Sequence, residues 1–401
     1  MRLFTLVTAT FALLASPILG APTTALVGIE KYEGQVKEGS YVVKLKNNVS
    51  KSSHLKWLGK QLGSDRVTHT EWQKNLLNGF AGTFSAKTLE LLRASPDVES
   101  IAEDGIYSIN TIVTQTNAPW GLARLSQNAR LSSQTPNTLN FNYTYDDSAG
   151  QGVDIYIIDT GVFIGHSEFG SPSRARWGAT FGGYANADGN GHGTHVAGTA
   201  AGINYGVAKK ANIIAVKVLS DSGSGSLADV ISGLNYALTS AAASGRPSVA
   251  SLSLGGSASS SLDSAVASLT ASGVHVTVAA GNSNTDAANT SPARAPSANT
   301  IGASTIADAR ASFSNYGAVV DVFAPGQNVI SSWIGSTTAT NNISGTSMAT
   351  PHVAGLIAYL ISHNGNASPA TISNTLKSLA VKGVLTGIPS GTLNYLARND
   401  V

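Results

Sequence analysis

The sequence predicts an α/β fold, a parallel sheet with helices on both faces, preceded by a small ferredoxin-like α+β domain. Three observations carry this. Near-continuous apolar strands alternate with amphipathic helices over residues 117–401. Residues 21–116 hold 11 Lys/Arg and 10 Asp/Glu, whereas the three-times-longer remainder holds 13 and 13, so two regions with different chemistry share the chain. Only 12% of the 401 residues are charged, but 42 glycines and long apolar runs fill the gap, which marks a packed chain and not a disordered one.

The same composition excludes several classes. A net charge of +2 is too small to imply a nucleic-acid partner or a polybasic membrane patch. The chain has no cysteine, which rules out disulfides, thiolate zinc sites, iron–sulfur clusters and a cysteine nucleophile.

Residues 1–20 start with Arg2, run through an apolar stretch from Phe4 to Leu19 and end beside small residues Gly20 and Ala21. This is the layout of a secretory signal peptide. The stretch is broken by Pro17 and is shorter than the roughly 20 residues a membrane span needs. A secreted, extracellular protein with no membrane association is expected. Five N-x-[ST] sequons, at Asn48, Asn142, Asn289, Asn342 and Asn366, are glycan acceptors in an exported chain.

Residues 21–116 alternate strand-like and helix-like pieces. Tyr41–Leu45 reads as a strand, Leu55, Leu58 and Leu62 fall at helical spacing, and 79–84 reads as a second strand. A helix over 86–93 and a strand over 98–102 complete a β-α-β-β-α-β order. Residues 107–117 carry few structure signals and read as a linker. In 117–401, strands are expected at 153–158, 212–219, 249–254 and 274–280. Amphipathic helices carry Leu227, Val230, Ile231, Leu234 and Leu238, then Leu262, Val266 and Leu269. Such strands are covered on both faces, and sites form at their carboxyl ends.

Three segments carry chemistry. Asp159 directly follows a buried strand; taken alone, such an Asp is more often a turn or cap residue. His192 lies in Gly191-His192-Gly193-Thr194-His195, just before a helix; no Glu stands between the histidines, so this is not the zinc-binding H-E-x-x-H pattern. Ser347 lies near a helix start, where free N–H groups stabilise an anion, or where a serine simply caps the helix. Together they supply a carboxylate, an imidazole and a hydroxyl, the set needed to activate an oxygen nucleophile, in the order Asp, His, Ser. That order differs from the Ser, Asp, His order of α/β-hydrolases.

These segments resemble the three signatures of the subtilisin-like serine proteases, within them the secreted fungal, proteinase K-like group. Ile157-Ile158-Asp159-Thr160-Gly161, Gly191 to His195, and Gly345 to His352 carry the resemblance, with Ser251 to Gly256, Ala279-Ala280-Gly281-Asn282 and Phe313 to Gly317 agreeing. The resemblance implies a signal peptide (1–20), an inhibitory propeptide (21–116) and a peptidase domain (117–401). It implies Ser347 as nucleophile, His192 as general base and then acid, Asp159 as the group that orients the imidazole, and Asn282 as an oxyanion donor. His195 and His352 would be structural.

The resemblance also implies a cleft where a substrate peptide adds as a strand. Ser251, Leu252, Ser253, Leu254, Gly255 and Gly256 would form one wall, Gly223, Ser224 and Gly225 the other, with Ala279 and Gly281 as further substrate-binding positions. Small residues there suit a large apolar or aromatic P1 side chain, and Leu227 stands at the S4 rim. Catalysis would need no cofactor. Relatives hold a structural calcium through one Asp and two backbone carbonyls, and the matching positions are Asp321, Pro296 and Ala298. Expected partners are protein or peptide substrates and the chain's own propeptide, cut off autocatalytically between about Asn110 and Asn117; a monomer is expected. A non-catalytic binding protein on the same fold would lack a triad member, and an esterase would spare amides.

Overall fold

The computed structural model describes residues 26–32, 36–61, 69–106 and 111–401. The leader, Leu62 and Asn110 lie outside the described residues. The chain divides into two compact units, Met1–Ile106 and Tyr107–Val401.

The first unit has strands β1 (Ile29–Glu30), β2 (Val36–Leu45), β3 (His69–Glu71), β4 (Gly79–Thr83) and β5 (Val98–Gly105), with helices α1 (Lys51–Gln61) and α2 (Ala86–Ala94). The sheet order is β1-β5-β2-β4-β3. β2 lies antiparallel between β4 and β5, and β3 is antiparallel to β4. This is the expected ferredoxin-like order, with β1 added parallel on the edge of β5. Val43, Leu45, Phe80 and Ile101 from the sheet bury against Leu58 of α1 and Leu92 of α2. Ser85 starts α2 by accepting the Thr88 N–H on its hydroxyl.

The second unit opens with β6 (Ile112–Ala118), α3 (Trp120–Leu125) and β7 (Phe141–Asp146). β6 pairs antiparallel with β7. Part of the segment read as a linker is therefore a strand: Ile112 to Gln115 find partners 28 or more residues later, a pairing that local composition does not encode. There follow β8 (Asp154–Asp159), β9 (Ala175–Thr180), α4 (His192–Ala201), β10 (Asn212–Lys217), α5 (Leu227–Ser244), β11 (Ser248–Leu252), β12 (Gly256–Ser257), α6 (Ser260–Ala271), β13 (His275–Ala279) and β14 (Thr290–Ser291). The remainder is β15 (Asn299–Ser304), β16 (Val322–Pro325), β17 (Val329–Ser332), β18 (Thr340–Ile343), α7 (Thr346–Asn364), α8 (Pro369–Leu379), β19 (Val381–Lys382) and β20 (Tyr395–Leu396).

One nine-stranded sheet has the order β19-β20-β16-β15-β13-β11-β8-β10-β9. Neighbours are parallel except in the terminal β19–β20 pair. Successive side chains leave opposite faces. Ile155 and Ile157 bury with Val196 and Ala197 of α4 and Val353 and Leu356 of α7. Tyr156 and Ile158 bury with Val230 and Leu234 of α5 and Val266 of α6. Double coverage is why these strands read as unbroken apolar runs.

Candidate active site

β8, an interior strand third from the β9 edge of the sheet, ends in Asp159, whose side chain is fully buried. One carboxylate oxygen, Oδ1, accepts the Thr160 N–H at 2.7 Å and meets His192 Nδ1 at 2.8 Å. Holding the proton on Nδ1 leaves Nε2 of His192 as an acceptor. Burial alone would lower the His192 pKa; the Asp159 charge and hydrogen bond, then the Asp188 charge, outweigh it and raise the pKa above the ordinary value.

His192 is the first residue of α4. The preceding Gly191 has φ +100°, and a Cβ there would lie 2.5 Å from the Trp333 ring. Only glycine fits, so position 191 cannot cap α4 with its own side chain. Asp188 does so from three residues upstream. It is buried, and its oxygens accept the N–H groups of Asn190 (3.1 Å), Gly191 (2.9 Å) and Thr194 (3.0 Å) and the hydroxyls of Thr160 (2.9 Å) and Thr194 (2.6 Å).

Ser347 is the second residue of α7, so its N–H has no carbonyl one turn earlier. Its hydroxyl donates to the Ser253 carbonyl at 3.1 Å, and the Ser253 hydroxyl donates to the Ser347 carbonyl at 2.8 Å. The latter carbonyl is free because the residue four positions on is Pro351, inside the helix and without an N–H. Asn282 Oδ1 accepts both the N–H (2.8 Å) and the hydroxyl (2.9 Å) of Thr346. Those two bonds fix which end of the amide is oxygen and turn Nδ2 towards Gly345, whose added Cβ would lie 3.5 Å from it. An N–H pair from Ser347 and Asn282 can receive a developing oxyanion.

A cleft of about 570 Å³ runs past His192 and Ser253. Gly223, Ser224, Gly225 and Leu227 line one side, and Ser253, Leu254, Gly255 and Gly256 the other, with Leu227 exposed. Ser251, Leu252 and Ala279 are buried in their strands and stand outside this lining, as does Gly281, whose N–H donates to the Thr346 hydroxyl. His195 and His352 bond to the carbonyls of Val329 and Met348 within the core. Asp188, Thr346 and Lys217 were missed by sequence reasoning. The first had a readable signal, an acidic residue just ahead of a helix start; the others act across long stretches of chain. Lys217 is buried and donates to the Thr160 carbonyl (2.6 Å) and Asp221 (2.7 Å), which ties the cleft loop to the end of β8.

The candidate calcium ligand Asp321 already has two partners. Asp321 Oδ2 accepts the Thr300 N–H at 2.8 Å, and Oδ1 pairs with the Lys377 ammonium at 2.7 Å. Both oxygens are engaged, one by a cation. Among the described residues no group of three or more His, Cys, Asp or Glu could hold a metal. Of the sequons, Asn48, Asn142, Asn289 and Asn342 are exposed, while Asn366 is half-buried with Oδ1 on His275 (3.1 Å).

Residues 150–394 match the subtilase family, and residues 40–110 match the peptidase inhibitor I9 family. The chain belongs to the subtilase family. It is 48% identical to the subtilisin-like serine protease AsES of Sarocladium strictum, over 95% of each chain. It is 50% identical to a cuticle-degrading protease of Metarhizium anisopliae over 81% of each, and 47% identical to proteinase R of Parengyodontium album over 92% of this chain and 90% of that one. A crystal structure of a cold-adapted subtilisin-like serine proteinase matches at 46% identity and a TM-score of 0.65, covering 71% of this subtilase and 99% of that chain. The protein is thus a serine endopeptidase made as a zymogen, with its inhibitor domain on the same chain.

Proposed function

We propose that this subtilase cleaves protein substrates by acyl transfer through Asp159, His192 and Ser347. Ser347 Oγ attacks the scissile carbonyl carbon while its proton passes to His192 Nε2. The carbonyl oxygen, now an anion, takes N–H bonds from Ser347 and the Asn282 side chain. His192 returns the proton to the leaving amine as the C–N bond breaks, and water repeats the sequence on the acyl ester. Asp159 holds the ring and stabilises the imidazolium. The 2.8 Å contact between His192 Nδ1 and Asp159, at the carboxyl edge of the sheet, is the observation that carries this reading.

The cleft walls of Gly223, Ser224, Gly225 and Gly255, Gly256 leave room for a large apolar or aromatic P1 side chain. Export, glycosylation at the exposed sequons, autocatalytic processing and a monomeric mature enzyme belong to the same proposal. The leader pattern of residues 1–20 supports export, and no helix of the described residues is long and apolar enough to cross a membrane. In place of a calcium ion, Lys377 serves as the cation of Asp321.

A serine-directed covalent inhibitor tests the reading. It should label Ser347 and abolish hydrolysis of a peptide amide library. Full amidase activity in Ser347→Ala would overturn it, and activity on esters but not amides would favour an esterase.

A further inference from the structure

We propose that the buried carboxylate of Asp188 is a positioning residue, clamping the end of β8 to the first turn of α4 so that Asp159 and His192 stay in contact. The inference rests on the reading of His192 as the general base. The carboxylate spans two elements. Through the Thr160 hydroxyl it reaches the residue after Asp159, and through Gly191 and Thr194 it grips the two sides of His192. The Thr160 hydroxyl also accepts the Gly193 N–H at 3.0 Å, which closes a ring of bonds between strand and helix.

The arrangement has an electrostatic consequence. His192 sits at the positive end of a helix dipole, which disfavours the imidazolium. A carboxylate at the same helix end opposes that field. The other charged groups around it are Asp159 from β8, Lys217 from β10, and Asp221, which accepts the Gly189 N–H at 3.2 Å and pairs with Lys217. Lys217 and Asp221 offset one another, so Asp159 and Asp188 are left as the anions that favour the cation formed when Ser347 loses its proton. Five donors replace the water the Asp188 carboxylate loses on burial.

Three variants of the full chain, matured with an added protease of a different class that is then inhibited, and assayed on a peptide amide across pH, test the proposal. Asp188→Asn removes the charge and keeps one acceptor oxygen; kcat should fall about tenfold or more, KM should change little, and the acid limb of kcat/KM should move to lower pH. Thr194→Val removes the hydroxyl's bonds to Asp188 and to the Phe163 N–H and leaves the charge; kcat should fall several-fold with the limb unmoved. A merely structural cap would lower the yield of folded enzyme without moving the limb. An unmoved limb in Asp188→Asn overturns the proposal, and so does wild-type kcat in Thr194→Val if Asp188→Asn fails to fold. His192→Ala separates the two readings: if it keeps activity the general base is misassigned, and if it is inactive the Asp188 result stands alone.

Discussion

Ser253 and Ser347 exchange two hydrogen bonds, hydroxyl to carbonyl in each direction, at 2.8 and 3.1 Å. The single proton of the Ser347 hydroxyl therefore points at Ser253 in the resting enzyme and must turn towards His192 when substrate arrives. Removing the Ser253 hydroxyl leaves the Ser347 carbonyl unpaired, since Pro351 offers no N–H. Ser253→Ala should lower kcat about tenfold and cost about 1–3 kcal/mol of stability, the usual range for an orphaned buried acceptor. A double-mutant cycle with Pro351→Ala checks the cause, because the new N–H at 351 should take over the carbonyl and shrink the penalty. Additive effects would refute this account.

Activity should follow the neutral form of His192. The imidazole must accept a proton, and its pKa is raised by Asp159 and Asp188 beyond what burial takes away. The kcat/KM profile should therefore rise through a midpoint above the ordinary imidazole value of about 6.5 and reach an alkaline plateau. Initial rates on a neutral peptide substrate measure it. A midpoint well below that value would show that a different group limits the reaction.

Two other histidines should set acid stability. Burial holds His195 down to about 3 and His352 down to about 4, so both are neutral when folded. In the unfolded chain each takes up a proton near 6.5. Below that pH the unfolded state binds more protons, and stability falls as pH drops from about 6.5 towards the folded values. At about pH 5 the loss is roughly 2 kcal/mol per histidine. Urea unfolding of the Ser347→Ala protein at both pH values reads it. His352→Asn, which keeps a donor for the Met348 carbonyl, should flatten the decline by about half.

The strands that positioned the site were legible because both faces of β8, β10, β11 and β13 are buried, which forces unbroken apolar runs. β15, Asn-Thr-Ile-Gly-Ala-Ser, is as deeply buried yet escaped notice. Its small and polar residues sit where neighbouring strands and α7 pack close, and periodicity carries no sign of that. The triad was legible because each member stands in a local motif. Asp188 carried only the general signal of an acidic residue ahead of a helix start, because its particular role depends on a glycine being required at 191 by a tryptophan ring from residue 333. The Lys377–Asp321 pair was illegible for a similar reason, since α8 and the residue before β16 meet only in the fold.

That pair predicts how the enzyme responds to calcium. If Lys377 supplies the cation for Asp321, calcium has no vacancy there. The difference in Tm between excess calcium and a chelator should be the same in the wild type and in Asp321→Asn. Lys377→Met should lose stability in the chelator and regain it with calcium, since the carboxylate is then unpaired. Scanning calorimetry on inhibitor-blocked protein reads all three. A calcium response present in the wild type and abolished by Asp321→Asn would show that the carboxylate holds the metal after all.

The pairing of β6 with β7 narrows the processing site. Val113, Thr114 and Gln115 lie opposite Tyr145, Thr144 and Tyr143, and the Gln115 side chain donates to the Asn204 carbonyl at 2.9 Å. These contacts all fall within Tyr107–Val401. A cut at residue 116 would strip a strand from that unit and expose the β7 edge, whereas a cut at or before Ile112 removes at most the exposed Ile112 and the Thr111 carbonyl that accepts the Asp147 N–H. The mature chain should therefore begin no later than Val113, in the early part of the window that composition suggested. Amino-terminal sequencing of the secreted enzyme decides it, with Ser347→Ala precursor expected to stay uncut. A mature enzyme starting at Gln115 or beyond would mean that β6 is expendable and that its register with β7 places no limit on where the chain is cleaved.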